Sequence, residues 1–186
     1  MERGGTVGSF AGRRPPEQSR EVGFKRGIVM IMFTGALAVL ASYAAAAEGP
    51  KGFVKPAEKD KCPVCGMFVA KYPDWTAEVL FKDGSYAVFD GVKDLMKYYF
   101  DMASYGKGRQ RADIAAIIVT DYYQVRPADG REAFFVLGSD VYGPMGRELV
   151  PFAKESDARE FLKDHRGKRI LRFGEITEAI VAELDR

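Results

Sequence analysis

Residues 76–90, "TAEVLFKDGSYAVFD", alternate apolar and polar positions on either side of Asp83-Gly84. That alternation predicts two half-buried strands, and Asp-Gly is the dipeptide favoured where a two-residue hairpin turn needs positive φ at both positions. The period then changes. In "GVKDLMKYYFDMASYG" the residues Val92, Leu95, Met96, Tyr99 and Met102 recur at helical spacing, and Gly106 ends the run. "ADIAAIIVTDYY" follows as a continuous apolar stretch, the pattern of a buried strand. The order is β-β-α-β.

The same order returns downstream. "REAFFVLGSD" and "GRELVPFA" predict strands joined by a glycine-rich loop. "SDAREFLKDHRG" predicts a helix with Ser156 as N-cap and Gly167 beyond its end, and "KRILRF" a closing strand. "EITEAIVAEL" adds a terminal amphipathic helix with Ile176, Ile180 and Leu184 inward. Each β-β-α-β half is too small to bury a core alone, so the pattern predicts an α+β tandem repeat whose two units pack together. The expected organisation is a leader over residues 1–47, a first unit over 48–125 and a second over 126–186. "VRPADG", with Pro127 and Gly130, is the expected joint.

The leader is read from residues 27–47, "GIVMIMFTGALAVLASYAAAA", which follow Lys25 and Arg26 and end in small residues. A basic start, an apolar middle and an A-x-A-like end form a secretory signal with cleavage expected near Ala46–Glu48. The competing reading is a retained single membrane anchor. Six of the 28 basic and three of the 26 acidic residues precede Gly27, which leaves 22 against 23 in the exported part. A near-neutral chain has no electrostatic footprint for nucleic acid.

The remaining part, of about 140 residues, holds both cysteines of the chain and its one histidine. Cys62 and Cys65 stand in "CPVCGM". This spacing suits a zinc knuckle, a redox dithiol, a structural disulfide or a soft-metal site. Structural zinc wants four nitrogen or thiolate ligands, which two cysteines and His165 do not supply without a carboxylate or a second chain sharing the ion in a homodimer. A thioredoxin-type dithiol opens a helix after a strand, whereas Pro63 and Gly66 interrupt this segment. Thiolate plus thioether suits Cu(I), and Met67 follows Cys65 by two residues. Met145 lies in "GPMG", a loop able to present its thioether outward. Met96 and Met102 fall on the helix face and read as core. His165, in the last helical turn, reads as a capping or exposed residue rather than a ligand. Tyr72, Trp75, Tyr98, Tyr99 and Phe100 read as core and core rim. No general acid-base pair, nucleophile elbow, phosphate loop or nucleotide fingerprint is present, so catalysis is not expected. Three classes stay open: a copper carrier, a zinc-stabilised module and a thiol-dependent redox protein.

In combination, "CPVCGMFVAKYPDW", "FDGVKDLMKYY", "FFVLGSDVYGPMG" and "LVPFAKESDAREFLKDHRGKRILRFGEI" resemble the NosL family, the nitrous-oxide-reductase accessory proteins. The likeness runs from about Asp60 to the C-terminal helix. It implies a periplasmic Cu(I) chaperone without catalysis, whose partners are a copper donor protein and a multicopper reductase, nitrous oxide reductase. It also implies a fold similar to the lyase that cleaves organomercurials. The implied metal ligands are Cys62, Cys65, Met67 and Met145. No lipobox cysteine follows the apolar segment, so the chain departs from a common family pattern and is expected to be soluble or held by its own peptide.

Overall fold

The computed structural model describes residues 52–186. The leader therefore lies outside the described residues. Among those described, no helix is long and apolar enough to cross a membrane.

The fold is a mixed α+β structure with two antiparallel sheets and a few helices. The first sheet contains β1 (Ala77–Phe81), β2 (Tyr86–Phe89), β3 (Ile114–Asp121) and β4 (Arg126–Asp129), in the order β2-β1-β3-β4. Helices α1 (Val92–Phe100) and α2 (Met102–Tyr105) connect β2 to β3. The second sheet contains β5 (Phe134–Gly143), β6 (Gly146–Phe152) and β7 (Arg169–Arg172), in the order β6-β5-β7, with α3 (Glu155–Asp164) between β6 and β7. A short helix, α4 (Glu178–Glu183), ends the chain. In each sheet the first strand of a hairpin is flanked by its partner on one side and by the strand after the helix on the other.

One apolar cluster gathers both halves. Val79, Phe89, Leu95, Met96, Ile117 and Val119 of the first half meet Phe135, Leu149 and Leu171 of the second, and Val181 and Leu184 of α4 close over them. A smaller cluster of Val136, Val150, Phe152 and Phe161 lies under α3. The halves are also tied through their backbones: Tyr122 N–H donates to the Pro151 carbonyl at 2.9 Å, and Ala153 N–H donates to Asp121 Oδ2 at 2.6 Å. Met96 and Met102 are core, as the helical spacing indicates. Tyr98 is buried, while Tyr99, Phe100 and Trp75 pack at the core's edge.

Local details depart from the pattern in four places. The Asp83-Gly84 turn spans residues 82–85 and needs positive φ only at Gly84, because Asp83 Oδ1 accepts from the Ser85 N–H and hydroxyl and closes the turn with its side chain. Helix α3 begins one residue earlier than Ser156, with Lys154 in the extended N-cap position; Ser156 instead donates to Asp157. At its end Arg166, not Gly167, takes the left-handed conformation. Gly167 is needed for space, since a Cβ there would lie 2.7 Å from Val136 Cγ1. Lastly, residues 126–129 form the edge strand β4 rather than a joint. An edge position tolerates Pro127 because one side of the strand has no ladder to donate into.

The alternation of β1 puts Glu78 on its polar face, yet Glu78 is buried. Chain near Val54 covers it, and Val54 N–H donates to Glu78 Oε2 at 3.1 Å. Burial pushes the Glu78 carboxyl up to about 7.

Candidate metal centre

The cysteine loop is held closed by its own backbone. Cys62 N–H donates to the Met67 carbonyl and Gly66 N–H to the Cys62 carbonyl, both at 2.9 Å. A bridge between Lys61 and Phe68 clamps the base of the loop. Gly66 supplies the left-handed turn, at φ +79°. Cys62 is buried and Cys65 half-buried, and both are free thiols.

The loop rests on the first turn of α1, and this is where the site's unexpected members lie. Asp90 ends the connection from β2, Gly91 is the extended N-cap, and Asp94 is the third helical residue. Cys62 Sγ donates to Asp94 Oδ2 at 3.4 Å, and Cys65 Sγ donates to Asp90 Oδ1 at 3.1 Å. One ligand atom from each of the four residues lies within 4.8 Å of the other three. Both carboxylates are buried, and Asp90 Oδ2 and Asp94 Oδ1 have no hydrogen-bond partner. The positive end of the helix dipole stabilises the negative charge gathered there.

Met145 belongs to the other half but reaches the same helix end. It sits with Pro144 between the paired residues Gly143 and Gly146 at the tip of the β5-β6 hairpin, with an exposed side chain. Its carbonyl accepts from the buried Lys93 Nζ at 2.7 Å, and Lys93 precedes Asp94. Glu148, on β6 below the tip, accepts from Lys93 N–H at 2.5 Å and from Leu149 N–H at 2.9 Å. Its carboxylate occupies the space a Cβ at position 91 would need. Gly91 is thus an extended residue required for close approach. Lys97 completes the charge balance, with its ammonium 2.8 Å from Asp185 and 3.7 Å from Asp94.

Burial pushes the Cys62 thiol up to about 12, against the opposing pull of the Cys65 and Val64 backbone N–H groups. Burial, reinforced by Asp90 and Asp94, likewise raises Cys65, while the Met67 N–H opposes it. Thiols protonated at neutral pH are poor nucleophiles, because the thiolate is the reactive form. They become strong ligands once a metal displaces their protons.

Of the residues expected as ligands, Cys62 and Cys65 converge, Met67 lies half-buried in their loop, and the Met145 loop docks on the helix beneath them. His165 stands apart: it ends α3, stacks on Phe161 at 4.3 Å and places Nδ1 3.2 Å from Asp140 Oδ1. Asp90 and Asp94 were not found from sequence. Their only signal was the placement of two acids around a helix start, which reads equally well as dipole compensation.

The chain is similar to proteins of known character. It is 29% identical over 134 residues to the copper-binding lipoprotein NosL of Stutzerimonas stutzeri, spanning 68% of this chain and 66% of that protein. The crystal structure of the copper chaperone NosL from Shewanella denitrificans superposes with a TM-score of 0.59 at 27% identity, covering 70% of this chain and 98% of that one. The solution structure of apo-NosL from Achromobacter cycloclastes gives 0.40 at 27% identity, covering 56% and 87%. The NosL family profile matches residues 53–181, most of the described fold, and the chain belongs to the NosL family.

Proposed function

We propose that the protein is an exported Cu(I) chaperone that carries the ion on Cys62 and Cys65, with Met67 and Met145 as thioether ligands, and delivers it to a multicopper enzyme, nitrous oxide reductase. The observation that carries this reading is the convergence of two free thiols on one helix end that the Met145 loop also reaches. Two thiolates with neutral thioethers form a soft, low-coordinate set, which favours Cu(I) over harder cations. The names of the relatives, a copper-binding lipoprotein and a copper chaperone, support the same cargo.

The role we read is carriage rather than catalysis, because burial raises both thiols instead of activating them as nucleophiles. Export rests on the signal-like residues 27–47. The relative's lipid attachment has no counterpart cysteine at the end of that segment, so the chain works as a soluble or peptide-anchored protein. We also read the two halves as a tandem β-β-α-β repeat similar to the organomercurial lyase fold, with β4, the start of the segment from residue 126, added at the edge of the first sheet.

The test is an anaerobic titration of the reduced protein with Cu(I) in the presence of a chromophoric Cu(I) chelator. The protein should withhold about one equivalent per chain and release it to a stronger acceptor. Failure to compete with even a weak chelator would exclude the chaperone role.

A further inference from the structure

We infer that the groove between α3 and the open edge of β7 is a docking site for another protein, through an extended acidic segment that carries one apolar side chain at its centre. This does not depend on the copper reading, because no residue of the cysteine loop or of α1 takes part. β7 is an edge strand, paired with β5 on one side and with no strand of the described residues on the other. A groove of about 480 Å³ lies between that edge and α3, and the consecutive residues 168–172 line it. Strand side chains alternate between faces, with Leu171 in the core shared by the two halves and Ile170 packed under α3. A groove lined by both follows the edge of the strand, where a second extended chain can lie alongside.

Charge names the partner. The exported part is near neutral, yet residues 163–172 hold Lys163, Arg166, Lys168, Arg169 and Arg172 against a single acid, Asp164. Basic residues on an edge strand also keep other edges away, but that role asks only for loose, solvated side chains. Lys168 is held more closely. Its stem lies across Gly138 of β5, where a Cβ would stand 2.8 Å from Lys168 Cδ, and its N–H donates to the Leu137 carbonyl at 2.8 Å. Arg159 pairs with Glu155 and Arg172 with Glu132, whereas among the described residues the exposed Lys168 and Arg169 stand in no ion pair. Beside these two cations the groove has an apolar floor of half-buried Phe134, Leu162 and Ile170. Carboxylates of a docked segment complement Lys168 and Arg169, and its apolar side chain covers Leu162 and Ile170. A flat anionic membrane surface fits less well, since Glu155 and Glu132 beside the arginines repel it while a single chain passes between them.

The probe is a fluorescently labelled synthetic peptide, Glu-Asp-Leu-Asp-Glu with blocked ends, titrated with the protein at low salt. Its anisotropy should rise, the rise should fade as salt is added, and the amide NMR shifts it causes should concentrate in residues 159–172. Replacing the peptide's leucine by serine should weaken binding about tenfold, and replacing its acids by lysine should abolish it. Lys168→Glu combined with Arg169→Glu should weaken binding about tenfold or more and leave circular dichroism and Cu(I) uptake as in the parent. Should the double variant lose its fold, the shift map of the unmodified protein decides. Shifts centred outside that segment, equal binding of the lysine peptide, no binding at about 1 mM peptide, or attachment to phosphatidylglycerol vesicles in place of the peptide would each overturn the assignment.

Discussion

The buried ammonium of Lys93 donates to the main-chain carbonyl of Met145 at 2.7 Å, across 52 residues of sequence. This bond ties the hairpin tip of the second sheet to the helix end that carries Asp94, on which the cysteine loop rests. The loop that carries Met145 and the loop that carries the thiols are thereby both joined to a single turn of helix.

Met145 should therefore behave as a ligand rather than as packing. Its side chain is 41% exposed, so Met145→Ala should leave thermal stability nearly unchanged while lowering Cu(I) affinity about tenfold, or about 1.4 kcal/mol. Met96, at 1% exposed, should do the opposite: Met96→Ala should cost about 2 kcal/mol or more in denaturant unfolding and leave intrinsic affinity alone. A Met145→Ala variant that unfolds yet keeps full affinity would reassign the residue to packing.

Oxidation should close the site. The two Sγ atoms lie within 4.8 Å of each other, so a Cys62–Cys65 disulfide is within reach and would remove both thiolates. Oxidised protein should take up little Cu(I) until reduced, and bound Cu(I) should shield both thiols from alkylation as read by mass spectrometry. Equal uptake by the two redox forms would place the ligands elsewhere.

The fold should lose stability as pH rises from about 5 to 8. Glu148, raised by burial to about 8, and Glu78, raised to about 7, hold protons in the folded state that the unfolded chain releases near the ordinary carboxylate value. The native state binds more protons than the unfolded one across that interval, so unfolding becomes easier as protons are withdrawn, at about 1 kcal/mol per pH unit where one group titrates. Asp83, held near 2 by Ser85 and Arg109, acts in the other direction but only at more acid pH. Urea unfolding at pH 5 and 8 should show the fall. Glu148→Gln, which keeps an acceptor for the Lys93 and Leu149 N–H groups, should flatten it; an unchanged slope would mean that the buried glutamate is already ionised.

Much of this architecture was legible along the chain because period and burial agree. The strands around Gly84, the helix through Leu95 and Met96, and the exposed Met145 loop all follow from local pattern and turn chemistry. Glu78, Lys93, Asp94 and Glu148 were not legible, since each is a charged residue buried by something distant in sequence: Val54 over Glu78, the Met145 tip over Lys93, the cysteine loop over Asp94, and α1 over Glu148. A helical or strand period assigns such residues to solvent. Only the tertiary fold, within the first half for Glu78 and Asp94 and between the halves for Lys93 and Glu148, reveals that they face inward. Pro127 failed for a related reason, because a proline on an edge strand looks the same in sequence as one in a linker.

The most direct measurement is Cu(I) affinity of the Cys62→Ser, Cys65→Ser double variant by anaerobic chelator competition, alongside its circular dichroism. The thiols are contributed by a loop clamped through its own backbone bonds, so the variant should keep the secondary structure of the parent and lose Cu(I) uptake. A folded double variant that still withholds one Cu(I) per chain from the chelator would contradict the account at its centre.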